Sequence, residues 1–184
     1  MYQKHILTPV IEKRTVIRKN GQDLFLSKEK YGYRANNGVP YVYTLKTAHK
    51  EESNEIEEYR CEATDKKGNP VDVFMKGKPE YIYLWNNCYT SPTALIKGAT
   101  YSEVMSAISN GDAIDNLQLE SILYSKLPNA QISFFKYYSD KKKTYETTFR
   151  QTSVSYGYNL QGLLKTVLNN GKIIKEYEYG YKIY

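Results

Sequence analysis

Tyrosines at every second position near the end of the chain are the feature that most limits its fold. Tyr177, Tyr179 and Tyr181 alternate with other residues, and in a β-strand residues two apart lie on the same face. On a helix the same residues would be spread around the axis. The spacing therefore predicts an extended strand with one aromatic face, and a protein built from β-sheet.

The same pattern occurs once more, 94 residues earlier in the chain. At this one offset an Asx residue, two glycines and two aromatic residues each have a counterpart. The matched pairs are Asp65 with Asn159, Gly68 with Gly162, Gly77 with Gly171, Tyr83 with Tyr177, and Trp85 with Tyr179. This agreement predicts that the chain contains two copies of one structural unit.

Each copy begins with a four-residue segment that suits a tight turn. The first segment starts at Asp65 and ends at Gly68, and the second starts at Asn159 and ends at Gly162. An Asp or Asn side chain at the first position accepts backbone N–H groups of the turn, and glycine at the fourth position accepts a positive φ. Asp65 is therefore predicted to be a structural residue and not a ligand or a base.

A strand and a second turn are predicted to follow in each copy. The strands cover residues 69–75 in the first copy and 163–168 in the second. The second turns contain Gly77 and the Asn170-Gly171 dipeptide. Asn-Gly is a strong hairpin signal because both residues tolerate the left-handed region. An aromatic strand closes each copy.

The combined pattern resembles the tyrosine/aspartate (YD) repeat of RHS-type proteins. Three further segments resemble the C-terminal region of RHS-repeat-like proteins common in Bacteroidetes. They are YLW at 83–85, ALIKGATYSEV at 94–104 and LPNAQ at 127–131. The first copy departs from the repeat at Thr64, where an aromatic residue is usual. The resemblance implies hairpin repeats with a helical insert before the last repeat.

The remaining strands are predicted from alternation and from Asn-Gly turns. A first hairpin is expected around Asn20-Gly21, and a strand over 40–45 after Asn37-Gly38. Further strands are expected over 56–63, 93–97, 131–138 and 143–149. The fold class is therefore mainly β, with about ten strands in antiparallel hairpins.

A two-helix insert is the one helical signal in the chain. Thr100 and Glu103 have the spacing of a capping box, and apolar residues follow at helical intervals. Asn110-Gly111 is expected to end the first helix, and a second helix is expected over 114–126. The chain is thus predicted to be one domain over 1–184, with β-hairpins in 8–99, the insert in 100–128 and β-hairpins in 129–184.

Charge and hydropathy limit the partners. The net charge of +6 and a pI near 9.0 would permit a polyanion, but the basic residues are scattered. The one tight run, at 141–143, is predicted to be a solvated hairpin tip, so no nucleic-acid partner is expected. Residues 1–26 lack the apolar core of a signal peptide, and no stretch reaches the roughly 20 apolar residues of a membrane helix. No membrane insertion is expected.

No catalytic pattern is found in the sequence. His5 and His49 have no suitably spaced zinc-ligand partners, and the motifs for nucleotide binding are missing. We expect no cofactor, no metal and no enzymatic activity. Cys61 and Cys88 are expected to be two free, half-buried thiols rather than a disulfide.

The predicted function is that of a non-enzymatic scaffold, the terminal segment of an RHS/YD-like array. The resemblance implies a cell-surface or secreted bacterial protein, in which such arrays form shells or adhesive scaffolds. The expected partners are further repeats of a longer parent chain, or other copies meeting at sheet edges. The alternative is a carbohydrate- or protein-binding module that uses two aromatic rows, namely Tyr81, Tyr83 and Trp85, and Tyr177, Tyr179 and Tyr181.

Overall fold

The computed structural model describes residues 9–49, 54–109, 118–149 and 152–180. It shows a mainly β protein, as predicted, with twelve antiparallel strands and two short helices in the described ranges. The chain forms two compact units, Met1–Pro79 and Glu80–Tyr184. The expectation of a single domain stays a prediction.

The first unit is a five-stranded antiparallel meander. Each strand pairs with the next one along the chain. Its strands are β1 (Glu12–Lys19), β2 (Gln22–Asn36), β3 (Val39–Ala48), β4 (Ile56–Thr64) and β5 (Pro70–Met75). The most buried side chains come from the end of β3, from β4 and β5 and from the turn between those two strands, whereas β1 is almost entirely exposed and about half of β2 is exposed.

The second unit is a seven-stranded antiparallel meander with the helices between its second and third strands. The elements are β6 (Tyr81–Trp85), β7 (Pro92–Lys97), α1 (Tyr101–Ala107), α2 (Leu119–Lys126), β8 (Gln131–Tyr137), β9 (Lys143–Thr147), β10 (Ser153–Tyr158), β11 (Leu164–Asn169) and β12 (Lys172–Glu176).

Three Asn-Gly dipeptides form the hairpin turns that the sequence indicated. Asn20, Asn37 and Asn170 have φ values of 53°, 49° and 46°, and the glycine after each has a φ between 74° and 78°. Two successive residues with positive φ are the requirement of a type I′ turn, which matches the twist of the flanking strands. These turns therefore fix the registers of β1–β2, β2–β3 and β11–β12.

The helices pack against one face of the second sheet. Tyr124 of α2 makes an edge-to-face contact with Phe134 of β8 at 5.6 Å between ring centroids. The core between the helices and the sheet is formed by buried side chains from both layers. They are Ile82, Leu84, Ala94, Ile96, Val104, Met105, Leu119, Leu123, Ile132 and Phe134. Burial of each large side chain contributes about 1.5–3 kcal/mol, so this layer is the main source of stability in the second unit.

The capping box at the start of α1 is confirmed. The Glu103 N–H donates to Thr100 Oγ1, and the Thr100 N–H donates to the Glu103 carboxylate at 2.8 Å. The predicted stop at Asn110-Gly111 and the predicted start of the second helix lie outside the described residues. Helix α2 ends at Lys126, as expected.

Three sequence-based expectations need correction. The described residues contain twelve strands rather than about ten, and one strand that alternation did not predict is β10, which pairs with β9 and β11. The last aromatic strand is short: β12 ends at Glu176, opposite Thr166, and Tyr177 and Tyr179 beyond it make single contacts with β11 instead of a ladder. The cysteines are not half-buried, since Cys61 is buried and Cys88 is exposed.

Candidate functional site

The turn at the start of the first copy is organised by the Asp65 carboxylate. Its Oδ1 accepts the backbone N–H groups of Lys67 at 2.8 Å and of Asn69 at 2.9 Å. The Gly68 N–H donates to the Asp65 carbonyl at 3.0 Å, and the Asp65 N–H donates to the Asn69 carbonyl at 2.9 Å. Gly68 has a φ of +85°. The side chain and the backbone of one residue thus take part in all four hydrogen bonds of the loop.

The turn in the second copy repeats this arrangement bond for bond. Asn159 Oδ1 accepts the N–H groups of Gln161 at 3.1 Å and of Leu163 at 2.9 Å. The Gly162 N–H donates to the Asn159 carbonyl, and the Asn159 N–H donates to the Leu163 carbonyl, both at 2.9 Å. Gly162 has a φ of +76°. The Asx-turn prediction is therefore confirmed in both copies.

The strands that flank the two turns share one register as well. In the first copy Thr64 lies opposite Pro70, and a bulge separates this pair from the pair of Ala63 with Asp72. In the second copy, the corresponding pairs are Tyr158 with Leu164 and Gly157 with Thr166, again separated by a bulge. Because the bulges fall at matching positions, the duplication includes the strand entering each turn.

Burial distinguishes the first turn from the second. Asp65 has no exposed surface, and its second carboxylate oxygen accepts a hydrogen bond from Asn69 Nδ2 at 2.7 Å. Asn159 is only half-buried. A buried carboxylate needs a full set of donors, which Asn69 completes. Sequence reasoning missed Asn69, although an Asn directly after the turn glycine is a possible signal.

The second turns of the two copies differ. Asn170 and Gly171 both have positive φ, whereas in the first copy Gly77 alone does, at +68°. There the Lys78 N–H donates to the Met75 carbonyl at 3.0 Å, which together with a positive φ at the third position is the geometry of a type II turn. Gly77 and Gly171 therefore occupy matching places in turns of different type.

The aromatic row of the first copy is not an open platform. Tyr81, Tyr83 and Trp85 are all half-buried on the face of β6 opposite Ile82 and Leu84. The Lys97 ammonium, on the neighbouring strand, lies 4.9 Å from the Tyr81 ring centroid and 4.0 Å from that of Phe149. Burial raises the pKa of the Tyr83 phenol. Lys97 was not singled out by sequence reasoning, because only the cross-strand pairing brings it to Tyr81.

The aromatic row of the second copy is more exposed. Tyr177 and Tyr179 lie beyond the end of β12 with 38% and 42% of their surface exposed. The Tyr179 hydroxyl donates to the Leu164 carbonyl at 2.7 Å, and the Tyr177 N–H donates to the Lys165 carbonyl at 2.9 Å. Tyr181 lies outside the described residues. These contacts hold the segment along β11 without a regular ladder.

A shallow cleft borders this second row. Its volume is about 470 Å³, and it is lined by Asn159, Lys165, Glu176, Tyr177, Glu178 and Tyr179. This volume lies in the range of small-ligand pockets, about 300–1,000 Å³. The cleft combines two phenol rings with two carboxylates and one ammonium group, which can offer stacking, hydrogen bonds and charge to a ligand.

Within the four described ranges, no group of three or more His, Cys, Asp and Glu side chains could hold a metal ion. None of the helices in the described part of the chain is long and apolar enough to cross a membrane.

Comparisons with known proteins yield similarities of structure only. No protein-family model and no curated protein matches the sequence. A crystal structure of TcdB2-TccC3-Cdc42 is similar with a TM-score of 0.47 and 8% identity, over 85% of this chain and 8% of that one. A Photorhabdus luminescens Tc holotoxin pore gives a TM-score of 0.46 and 10% identity, with the same coverage. A crystal structure of TcdB2-TccC3 gives 0.45 and 9%, over 79% and 7%.

This chain therefore spans less than a tenth of the length of each matched chain. Likeness at such identities concerns the fold alone and carries no conclusion about activity or partners.

Proposed function

We propose that the chain is a non-enzymatic structural module, the terminal segment of an RHS/YD-like repeat array of a cell-surface or secreted bacterial protein. The observation that carries the proposal is the repeated geometry of the Asp65 and Asn159 turns, which agree in hydrogen bonds, strand register and bulge position. A unit that recurs in this detail suits stacking in an array. The sequence resemblance to YD repeats supports the same function.

Self-association or contact with further repeats would occur at the outer strands. Strand β12 pairs only with β11 in the described part of the chain, and Ile173 and Ile174 are 60% and 54% exposed. Unpaired strand edges attract other strands, although lysines at an edge oppose this, and β12 contains Lys172 and Lys175. We expect weak association that strengthens with salt. Sedimentation velocity at increasing protein concentration measures this association directly. The variant Ile173→Lys should abolish the association.

A carbohydrate- or protein-binding function is the second candidate. The cleft beside Tyr177 and Tyr179 favours it, because exposed phenol rings next to carboxylates can stack on a sugar ring and bond its hydroxyls. The row formed by Tyr81, Tyr83 and Trp85 favours it less, since these rings are half-buried.

A glycan array with three variants separates the two candidates. Trp85→Ala and Tyr177→Ala each remove a ring from one row, and Tyr101→Ala removes an exposed ring outside both rows as a matched control. For a scaffold, no glycan binds the wild type, and Trp85→Ala lowers the Tm. A glycan signal that Tyr177→Ala abolishes with an unchanged Tm, and that Tyr101→Ala leaves intact, would overturn the scaffold function. The encoding reading frame gives a second test, because an array requires further repeats upstream.

A further inference from the structure

Each Asx turn is in contact with the tip of the hairpin that precedes it along the same end of its sheet. The β2–β3 tip, residues 36–39, lies against the Asp65 turn in the first unit. The β8–β9 tip, residues 138–142, lies against the Asn159 turn in the second unit. We call these the first and the second tip–turn contact.

One half of each contact is a side chain placed on the turn glycine. In the first contact a Cβ on Gly68 would meet Val39 Cγ1 at 2.6 Å. In the second contact the Lys142 ammonium occupies the corresponding space beside Gly162. Val39 and Lys142 both close their tips, because Val39 pairs with Asn36 and the Tyr138 N–H donates to the Lys142 carbonyl at 2.9 Å.

The other half of each contact joins the residue that opens the tip to the residue just before the Asx. In the first contact Asn36 Nδ2 donates to Thr64 Oγ1 and to the Thr64 carbonyl, both at 3.0 Å, and to the Asp65 carbonyl at 3.2 Å. In the second contact Tyr138 and Tyr158 make an edge-to-face ring contact, with centroids 6.2 Å apart and ring planes at 71°.

Thr64 and Tyr158 correspond at the offset of 94 residues, but their partners do not. Asn36 and Tyr138 correspond only through their places in the two tips. The second tip is one residue longer, and the two tips precede their turns by different distances in the sequence. The correspondence therefore follows from the structure and not from the sequence offset.

We propose that the Asn36–Thr64 pair and the Tyr138–Tyr158 pair are interchangeable versions of one recognition contact, which decides which hairpin tip packs on which turn. A matched polar pair satisfies the amide of Asn36, and a matched aromatic pair gains ring contact. A mixed pair does neither, because a ring at position 64 displaces the amide from its acceptors, and a ring at position 36 leaves them without their donor. Specificity then arises from the cost of mismatches as well as from the matched contacts.

Two mutant cycles test this proposal. The first compares Asn36→Tyr, Thr64→Tyr and the double variant, and the second compares Tyr138→Asn, Tyr158→Thr and their double variant. The measurement is the unfolding equilibrium constant in urea. We expect each single change to destabilise, and each double variant to be at least about fivefold more stable than the product of the two single effects predicts. The Tyr158 hydroxyl also donates to the Lys143 carbonyl at 2.8 Å, and the cost of losing that bond cancels within the cycle.

The matched control combines changes from different contacts. Asn36→Tyr with Tyr158→Thr should give additive effects, within about a factor of two. A single variant that fails to fold while its double variant folds supports the proposal. Double variants that equal the product of the single effects, or that fail to fold in both cycles, overturn it. The pairing does not depend on the scaffold function, so the failure of one is distinguishable from the failure of the other.

Discussion

Gly157 lies opposite Thr166 in the β10–β11 pair, and the Thr166 hydroxyl occupies the space in which a Cβ on Gly157 would stand. The same arrangement recurs in the first unit, where Gly32 lies opposite Thr44 and a Cβ would meet Thr44 Oγ1 at 2.5 Å. A bulge follows each glycine. Both glycines stand between two tyrosines, and neither has a positive φ. Close approach of a threonine, rather than backbone freedom, is thus what requires glycine here.

Gly157→Ala is expected to destabilise the protein by about 1–3 kcal/mol, the usual cost of overpacking. Removing the hydroxyl and methyl groups in Gly157→Ala/Thr166→Ala should restore most of this loss, because the clash is with the threonine side chain. Urea denaturation of the two single variants and the double variant measures the effect.

Gly180→Ala is the matched control for this prediction. Nothing lies within 4 Å of a Cβ built on Gly180, and its φ is not positive. The control should change stability by less than about 0.5 kcal/mol. A double variant as unstable as Gly157→Ala alone would show that the clash with Thr166 is not the cause.

Asp65→Ala is expected to cost about 3 kcal/mol, because it leaves two backbone N–H groups and the Asn69 amide of a buried turn without their acceptor. Asn159→Ala removes two bonds from a less buried turn and should cost about 1 kcal/mol. Thermal unfolding of the two variants gives the comparison. Equal losses would mean that burial does not distinguish the two turns.

Acid is expected to loosen the start of helix α1. Hydrogen bonds from the Thr100 backbone and hydroxyl hold the pKa of Glu103 below its ordinary value of 4.5. Because the folded pKa is the lower one, this contribution to stability is complete above about pH 4.5 and is lost as pH falls through the folded pKa. The protection factor of the Thr100 N–H, which donates to the Glu103 carboxylate, corrects amide exchange for its intrinsic pH dependence and should fall in that window between neutral pH and pH 3. In Glu103→Gln this fall should vanish, and a protection factor with the wild-type pH profile in that variant would contradict the prediction.

The turns and strands were predictable because they depend on local chemistry. Asp65, Asn159 and the Asn-Gly dipeptides act on backbone groups a few residues away, so sequence spacing identified them. Lys97 and Asn36 could not be found in this way, since their partners Tyr81 and Thr64 are 16 and 28 residues distant and meet them only through strand pairing or packing.

Alkaline pH is expected to destabilise the second unit through two half-buried phenols. Burial raises the pKa of Tyr83 and of Tyr137 above the ordinary value of 10.0, since a phenolate loses more from desolvation than a phenol does. The unfolded chain therefore releases these protons first. Their contribution to stability is fully present below about pH 10 and is lost as pH rises towards the folded pKa values.

The Tm should accordingly fall above pH 10, and Tyr83→Phe and Tyr137→Phe should each make that fall less steep by removing one titrating group. Phe135→Leu is the matched control, because Phe135 lies on β8 two residues before Tyr137 and does not titrate. This variant should lower the Tm by a similar amount at every pH. The contrary outcome is that the Tyr→Phe variants keep the wild-type slope of Tm against pH while phenolate absorbance rises only on unfolding. In that case groups other than these two phenols cause the alkaline transition, and the second sheet loses its stability for a different reason.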